Sequence, residues 1–177
     1  MSAGHGAPSI MNVPALSNNW NQYSQKGYLQ IKTASFVSVL FPRYVVYEVG
    51  LPISDFFIWC DDTEYTSRIT KAGFKNYFVS ESCITHKMAQ NVGIDITKEN
   101  NKSRITRYFL RNRNSLFMFK ELGGVKQVIK ELYRQMRTVI KLIFSKSTLK
   151  WFKIITLLKG TILGLLFNPK IEKFPKS

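Results

Sequence analysis

Residues 56–73 read Phe-Phe-Ile-Trp-Cys-Asp-Asp-Thr-Glu-Tyr-Thr-Ser-Arg-Ile-Thr-Lys-Ala-Gly. An aromatic cluster runs directly into an acidic corner, and Tyr65, Ile69 and Ala72 then recur at helical spacing until Gly73 stops them. That is a loop, a charged turn and a helix. The flanks add short elements of both kinds. Ser35 to Phe41 is a β-branched and aromatic run ended by Pro42 and predicts a buried strand, and Arg43 to Val49 predicts a short helix closed by Gly50. Tyr77-Phe78-Val79 and Cys83-Ile84-Thr85 predict two brief strands, the second ending at His86. From Met1 to about Ile31 the chain is rich in Gly, Pro, Ser, Asn and Gln without a sustained hydrophobic period, which predicts irregular structure. The half before Lys87 is therefore expected to be mixed α and β.

The half after it differs in kind. Arg104 to Leu122 predicts one helix, broken by Gly123-Gly124. Val125 to Phe144 follows with apolar residues at i, i+3, i+4 and i+7 spacing and with Lys126, Lys130, Arg134, Arg137 and Lys141 mostly on the other side. Leu149 to Phe167 is apolar around most of its circumference, carrying only Lys150, Lys153 and Lys159 as charges.

The chain has 177 residues and a formal charge of +15, with 45% hydrophobic residues. Such a composition excludes a disordered tail. The six basic and six acidic residues up to His86 cancel, whereas 20 basic residues face five acidic ones from Lys87 onward. All the excess charge sits in the second half, which calls for an anionic surface opposite it. Two cysteines, Cys60 and Cys83, make neither a disulfide framework nor a metal-binding spacing. No basic n-region and apolar h-region opens the chain, so a cytosolic setting is expected. A membrane span needs about 20 predominantly apolar residues, and the uncharged run from Gly160 to Pro169 falls short of it. An in-plane helix at an anionic membrane surface fits better, its lysines reaching the head groups while Trp151, Phe152 and Ile155 enter the acyl boundary. The plainer alternative is that these helices pack on each other or on the neutral half. Nucleic acid ranks last as a partner, because the long apolar face serves no purpose there and no known binding module is visible.

The acidic corner also has two readings. Asp61 as N-cap with Glu64 at N3 makes a capping box, and Glu64 with Arg68 an i, i+4 pair. Capping leaves Asp62 unexplained, and adjacent carboxylates also suit an acid-base or metal site. A single His86 at a strand end is by itself as well explained by a structural hydrogen bond as by ligation.

Phe36-Val37-Ser38-Val39-Leu40-Phe41-Pro42-Arg43, Val49-Gly50-Leu51-Pro52, Trp59-Cys60-Asp61-Asp62-Thr63-Glu64, Arg68, Ala72-Gly73, Thr85-His86-Lys87 and the Tyr108 to Arg113 segment together resemble the acceptor half of family 2 glycosyltransferases. The nearest branch is the rhamnosyl- and galactofuranosyltransferase-like group. The resemblance spans about residues 34 to 120. It implies Asp62 as the general base, with Asp61 as second choice, Glu64 orienting base or acceptor, and Trp59 offering a flat face to the acceptor sugar. It implies His86 as a ligand of Mg²⁺ or Mn²⁺, and Arg111 and Arg113 as phosphate-binding residues, although a helix could equally turn those two to solvent or lipid.

The donor half of that family, with its nucleotide-binding unit and Asp-x-Asp element, has no counterpart before Ser35. The expected fold is thus α/β: a partial A-type glycosyltransferase fold, acceptor half with few short strands, followed by a helical, basic amphipathic C-terminal region. The expected division is an irregular segment over 1–34, the acceptor-side part over 35–103 and the membrane-associated helical region over 104–177. The expected function is inverting transfer from a nucleotide-sugar donor to a glycan acceptor, lipid-linked, in surface polysaccharide synthesis. It would take place peripherally at the cytoplasmic face of the membrane, with a second chain supplying the donor half. The alternative is a non-catalytic, membrane-associated remnant or accessory module that binds glycan or a partner.

Overall fold

The computed structural model describes residues 21–85, 87 and 95–174. This part of the chain is mixed α and β and mostly helical, with four α-helices and one two-stranded antiparallel sheet. The elements are β1 (Tyr28–Ile31), α1 (Arg43–Val49), α2 (Asp61–Lys71), β2 (Asn76–Val79), α3 (Lys102–Ile143) and α4 (Lys150–Leu166). They fall into two compact units. Described residues 21–52, 62–85, 87 and 171–174 form one, and 53–61 with 95–170 form the other.

In the first unit β1 pairs with β2, Tyr28 opposite Val79 and Ile31 opposite Asn76. The strand at 28–31 corrects the expectation of irregular structure up to residue 34. Its partner lies more than forty residues downstream, so no local pattern announces it. Ser35 to Phe41 is corrected in the opposite sense: it forms a turn and open chain, not a strand. Phe36 and Phe41 fold their rings edge-on against Tyr65, at 5.9 and 5.3 Å. Val37, Val39 and Leu40 stay exposed, because no neighbouring strand takes up their backbone. Cys83 to Thr85 likewise forms no strand. Tyr65, Ile69, Val45 and Val49 make the small core between α1 and α2. Gly50 closes α1 at φ 83°, and a Cβ there would come within 2.6 Å of the Glu172 carbonyl. That carbonyl accepts a 2.8 Å bond from Leu51 N–H, which ties the C-terminal strap to the unit.

In the second unit α3 is bent back on itself at Gly124, which holds φ 65° and ψ −164°, so the predicted Gly123-Gly124 break is a helical hairpin. Its arms, 102–123 and 125–143, run antiparallel to each other, and α4 packs with them, running in the same direction as the first arm. The contact is polar at its centre. Glu131 is buried and accepts from Ser115 Oγ at 2.7 Å, Gln135 Nε2 at 2.9 Å, and Nε and Nη2 of Arg134. Gln135 Oε1 accepts from Thr161 Oγ1 at 2.6 Å, and Asn112 Nδ2 donates to the Leu157 carbonyl and to Thr161. Gly160 and Gly164 bring α4 close enough that a Cβ at 160 would lie 2.4 Å from the Phe109 carbonyl. Lys153, expected to reach toward head groups, is instead buried and donates to Ser147 Oγ at 2.7 Å and to the Thr97 carbonyl.

The amphipathic arm 125–143 is turned the unexpected way. With about 100° per residue, its circumference divides into three sectors. Glu131, Gln135, Val139 and Leu142 face inward. Val125, Ile129 (60% exposed), Tyr133 (71%) and Ile140 face outward, as does Phe144 (85%) just beyond. Lys126, Lys130, Arg137 and Lys141 occupy the third sector, also exposed. On α4, Trp151, Ile155, Ile162, Leu165 and Leu166 are exposed as well. The unit therefore buries a polar network beside an apolar core of Ile105, Tyr108, Val139, Leu142, Ile154 and Leu157, and also presents apolar side chains outward. No helix among the described residues is long and apolar enough to cross a membrane.

Candidate acidic site

The segment before Asp61 is held in an unusual backbone conformation. Ile58 N–H donates to the Phe56 carbonyl at 2.6 Å across Phe57, which sits at φ 59° and ψ −51°. This is the rare, strained form of γ-turn. Trp59 and Cys60 follow at φ 66° and 67°. Three bulky or β-substituted residues at positive φ within four positions cost about 1–3 kcal/mol each, and such a loop persists only where its surroundings impose it.

The surroundings come from the first arm of α3. Asn114, completely buried, directs its Nδ2 to the carbonyls of Phe56, Ile58 and Trp59, each at 3.0 Å. Arg113 donates to the Asp55 carbonyl and, through Nε, to Asn114 Oδ1 at 3.0 Å. Its guanidinium lies 4.0 Å from the centre of the Phe167 ring. Phe56 is anchored edge-on to Phe117 at 5.8 Å, and Trp59 rests on Tyr108 at 5.1 Å. Arg113, expected at a phosphate, is thus committed to holding this loop. Burial also presses its pKa below the ordinary arginine value, against the pull of Asp55.

α2 starts at Asp61 itself, so Asp61 stands at N1 and Glu64 at N4, each one position later than the expected capping box places it. Asp61, Asp62 and Glu64 all lie in the first turn, where the helix dipole favours negative charge. Glu64 is buried, and Arg68 takes both its oxygens, Nε to Oε1 at 2.9 Å and Nη2 to Oε2 at 3.0 Å. The same guanidinium donates to the carbonyls of Val49 and Leu51, while Tyr65 donates its hydroxyl to the Gly50 carbonyl. Glu64 therefore fixes the 49–51 turn through Arg68. The expected i, i+4 pair is present, and it engages both oxygens of Glu64.

Asp62 is different. It is half-buried, and Oδ1 accepts from Thr63 N–H at 2.7 Å and from the Thr63 hydroxyl at 3.3 Å. Oδ1 thus holds the carboxylate in place while Oδ2 meets no hydrogen-bond donor among the described residues. Trp59 belongs with the loop just described, partly buried against Tyr108 and the apolar cluster around it.

His86 lies outside the described residues. Among those described, no group of three or more His, Cys, Asp or Glu side chains could hold a metal ion. Arg111, half-buried, has no hydrogen bond or ion pair among the described residues. Burial first and the nearby Arg134 second lower its pKa, so its positive charge is held at a cost. Comparison with family models, curated proteins and solved structures returns no match. The roles of these side chains therefore rest on their own geometry and chemistry.

Asn114 was not singled out by the sequence reading. Its signal was a short polar residue, a poor helix former, standing mid-helix in Arg111-Asn112-Arg113-Asn114, where a solvent-facing position would favour a better helix former.

Proposed function

We propose that the chain is the acceptor-side part of an inverting, family 2-like glycosyltransferase that works peripherally at an anionic membrane surface. The carrying observation is the strained loop 57–60, clamped by Asn114 and leading directly into Asp61-Asp62. A corner needed only to start a helix requires no such backbone. In this reading Asp62 Oδ2 takes the proton from the acceptor hydroxyl. The acceptor oxygen forms its bond to the anomeric carbon as the bond to the nucleoside diphosphate breaks on the opposite face, and the diphosphate leaves with the electron pair. Asp61 is the second candidate for that proton, and Trp59 offers its remaining face to the acceptor ring. The resemblance adds His86 as the residue at which Mg²⁺ or Mn²⁺ would be held, neutralising charge on the leaving diphosphate. The nucleotide-sugar is expected to be bound with the help of a further half, in this protein or in a second chain. The finer fold assignment, an acceptor half of the A-type fold, belongs to the same proposal.

The membrane seat is supported by the outward apolar sector of 125–143 and the exposed face of α4, bordered by lysines and arginines. Each basic residue near an anionic leaflet adds about 1 kcal/mol. One observation favours the second reading, a non-catalytic glycan- or partner-binding module: Glu64 and Arg113 are both occupied by structural contacts.

The two readings part at Asp62. Membranes carrying the wild-type chain should transfer labelled sugar from one of a panel of nucleotide-sugars to lipid-linked acceptor, and Asp62→Asn should lower the rate by about 10² to 10⁴-fold while leaving the chain membrane-bound. Equal transfer by the two chains would remove Asp62 from the chemistry.

A further inference from the structure

A second cluster of charge lies within the helical unit. Asp95, Ile96, Thr97, Arg111, Thr138 and Lys141 line one hollow of about 380 Å³. The hydroxyls in it are spoken for. Thr97 donates its backbone N–H and its hydroxyl to Asp95 Oδ1, at 3.0 and 2.7 Å, and Thr138 donates to the Arg134 carbonyl at 3.1 Å. The two cations are not: neither Arg111 nor Lys141 has a hydrogen bond or ion pair among the described residues. Arg111 is half-buried and Lys141 exposed, so one stands deeper and the other toward the rim.

We propose that this hollow binds a phosphate or diphosphate group, gripped by the Arg111 guanidinium and the Lys141 ammonium. Two cations against the single carboxylate of Asp95 leave one net positive charge to be balanced. Asp95 keeps its charge, because the Thr97 hydrogen bonds and then Lys141 lower its pKa. A monocarboxylate ligand would satisfy Arg111 alone. An anion with three or more oxygens and a charge near −2 can engage the planar donor fork of arginine and the point charge of lysine together. Bound there, it would relieve the cost of holding Arg111 charged at partial burial. The inference deepens the proposed function by assigning Arg111 its phosphate and adding Lys141, and it leans on that reading only for whose phosphate it is. Binding requires no transfer, so the two can fail separately.

The test is calorimetric titration of the full chain in mild detergent with inorganic pyrophosphate. Saturable binding is expected, weakened about tenfold or more by Arg111→Gln and by Lys141→Gln, and unchanged by Lys126→Gln, which lies outside the hollow. Lys141 is exposed, so its variant folds even if Arg111→Gln does not. A second arm floats the same proteins on vesicles containing phosphatidic acid or phosphatidylglycerol. A selective loss by Arg111→Gln and Lys141→Gln on phosphatidic acid would support the site and identify a lipid phosphomonoester as its source. The proposal is overturned if Lys126→Gln weakens pyrophosphate binding as much as the other two, or if neither probe distinguishes the variants from wild type.

Discussion

Asn114→Ala is expected to lower the unfolding free energy by about 2–4 kcal/mol, measured by urea denaturation followed by circular dichroism in mild detergent. The amide of Asn114 serves three backbone carbonyls at 3.0 Å in a completely buried position. Its removal takes this donor from the Ile58 and Trp59 carbonyls, leaves the Phe56 carbonyl with its bond from Ile58 N–H, and opens a small void beside Phe56. A single hydrogen bond contributes only about 1 kcal/mol net. The larger figure follows because one side chain serves several carbonyls at once. Once released, Phe57, Trp59 and Cys60 can return toward ordinary φ values, and that relief offsets part of the loss. Asn114→Asp tests the donor role directly: it keeps the shape, loses the N–H groups and sets a carboxylate against three carbonyl oxygens. It should be at least as damaging as alanine. A loss below about 0.5 kcal/mol, the range of ordinary surface substitutions, would show that the loop holds itself.

Gly160→Leu should be as severe, costing about 3 kcal/mol or more in the same measurement. Two effects of opposite sign meet there. Replacing a mid-helix glycine by leucine favours the isolated helix by roughly 0.8–1 kcal/mol. Against that, a Cβ at this position would stand 2.4 Å from the Phe109 carbonyl, 2.8 Å from its Cα and 3.0 Å from Asn112 Cβ. The first two are backbone atoms of a packed helix and cannot swing aside. α4 must then move away from the first arm of α3, which also breaks the bonds from Asn112 to Leu157 and Thr161. Packing wins because it removes several contacts at once whereas propensity adds one increment. A variant as stable as wild type would mean that α4 does not lie as close to α3 as described.

The helical half was largely legible because its punctuation is local. Gly50 and the Gly123-Gly124 pair each end a hydrophobic period, and α1, the two arms of α3 and α4 follow from them. What periodicity could not tell was which sector of 125–143 faces inward. An apolar stripe normally marks the packed side. Here Glu131 and Gln135 pack inward because Ser115, Asn112 and Thr161, on two other helices, complete their hydrogen bonds, and those partners lie 16 to 26 residues away in sequence or more. The strand at 28–31 escaped notice for the same reason, its partner being remote. Ser35 to Phe41 misled because β-branched composition is only a preference for a pleated, half-buried surface, and no such surface is offered to it. At the acidic corner the sequence named the charged residues but not how their hydrogen bonds divide. Spacing alone cannot reveal that Arg68 occupies Glu64, that Arg113 is spent on the loop, or that Asp62 keeps one oxygen free.

The proposed membrane seat rests on the outward apolar sector, and flotation of the full chain on vesicles tests it most directly. The chain should rise with vesicles containing phosphatidylglycerol and much less with phosphatidylcholine alone. The triple substitution Ile129→Ser, Tyr133→Ser and Ile140→Ser, all at exposed positions, should weaken binding about a hundredfold without loss of helical content. If the triple variant floats as well as wild type, or if wild type stays at the bottom of the gradient with anionic vesicles, the apolar sector does not meet lipid and the membrane-peripheral reading is wrong.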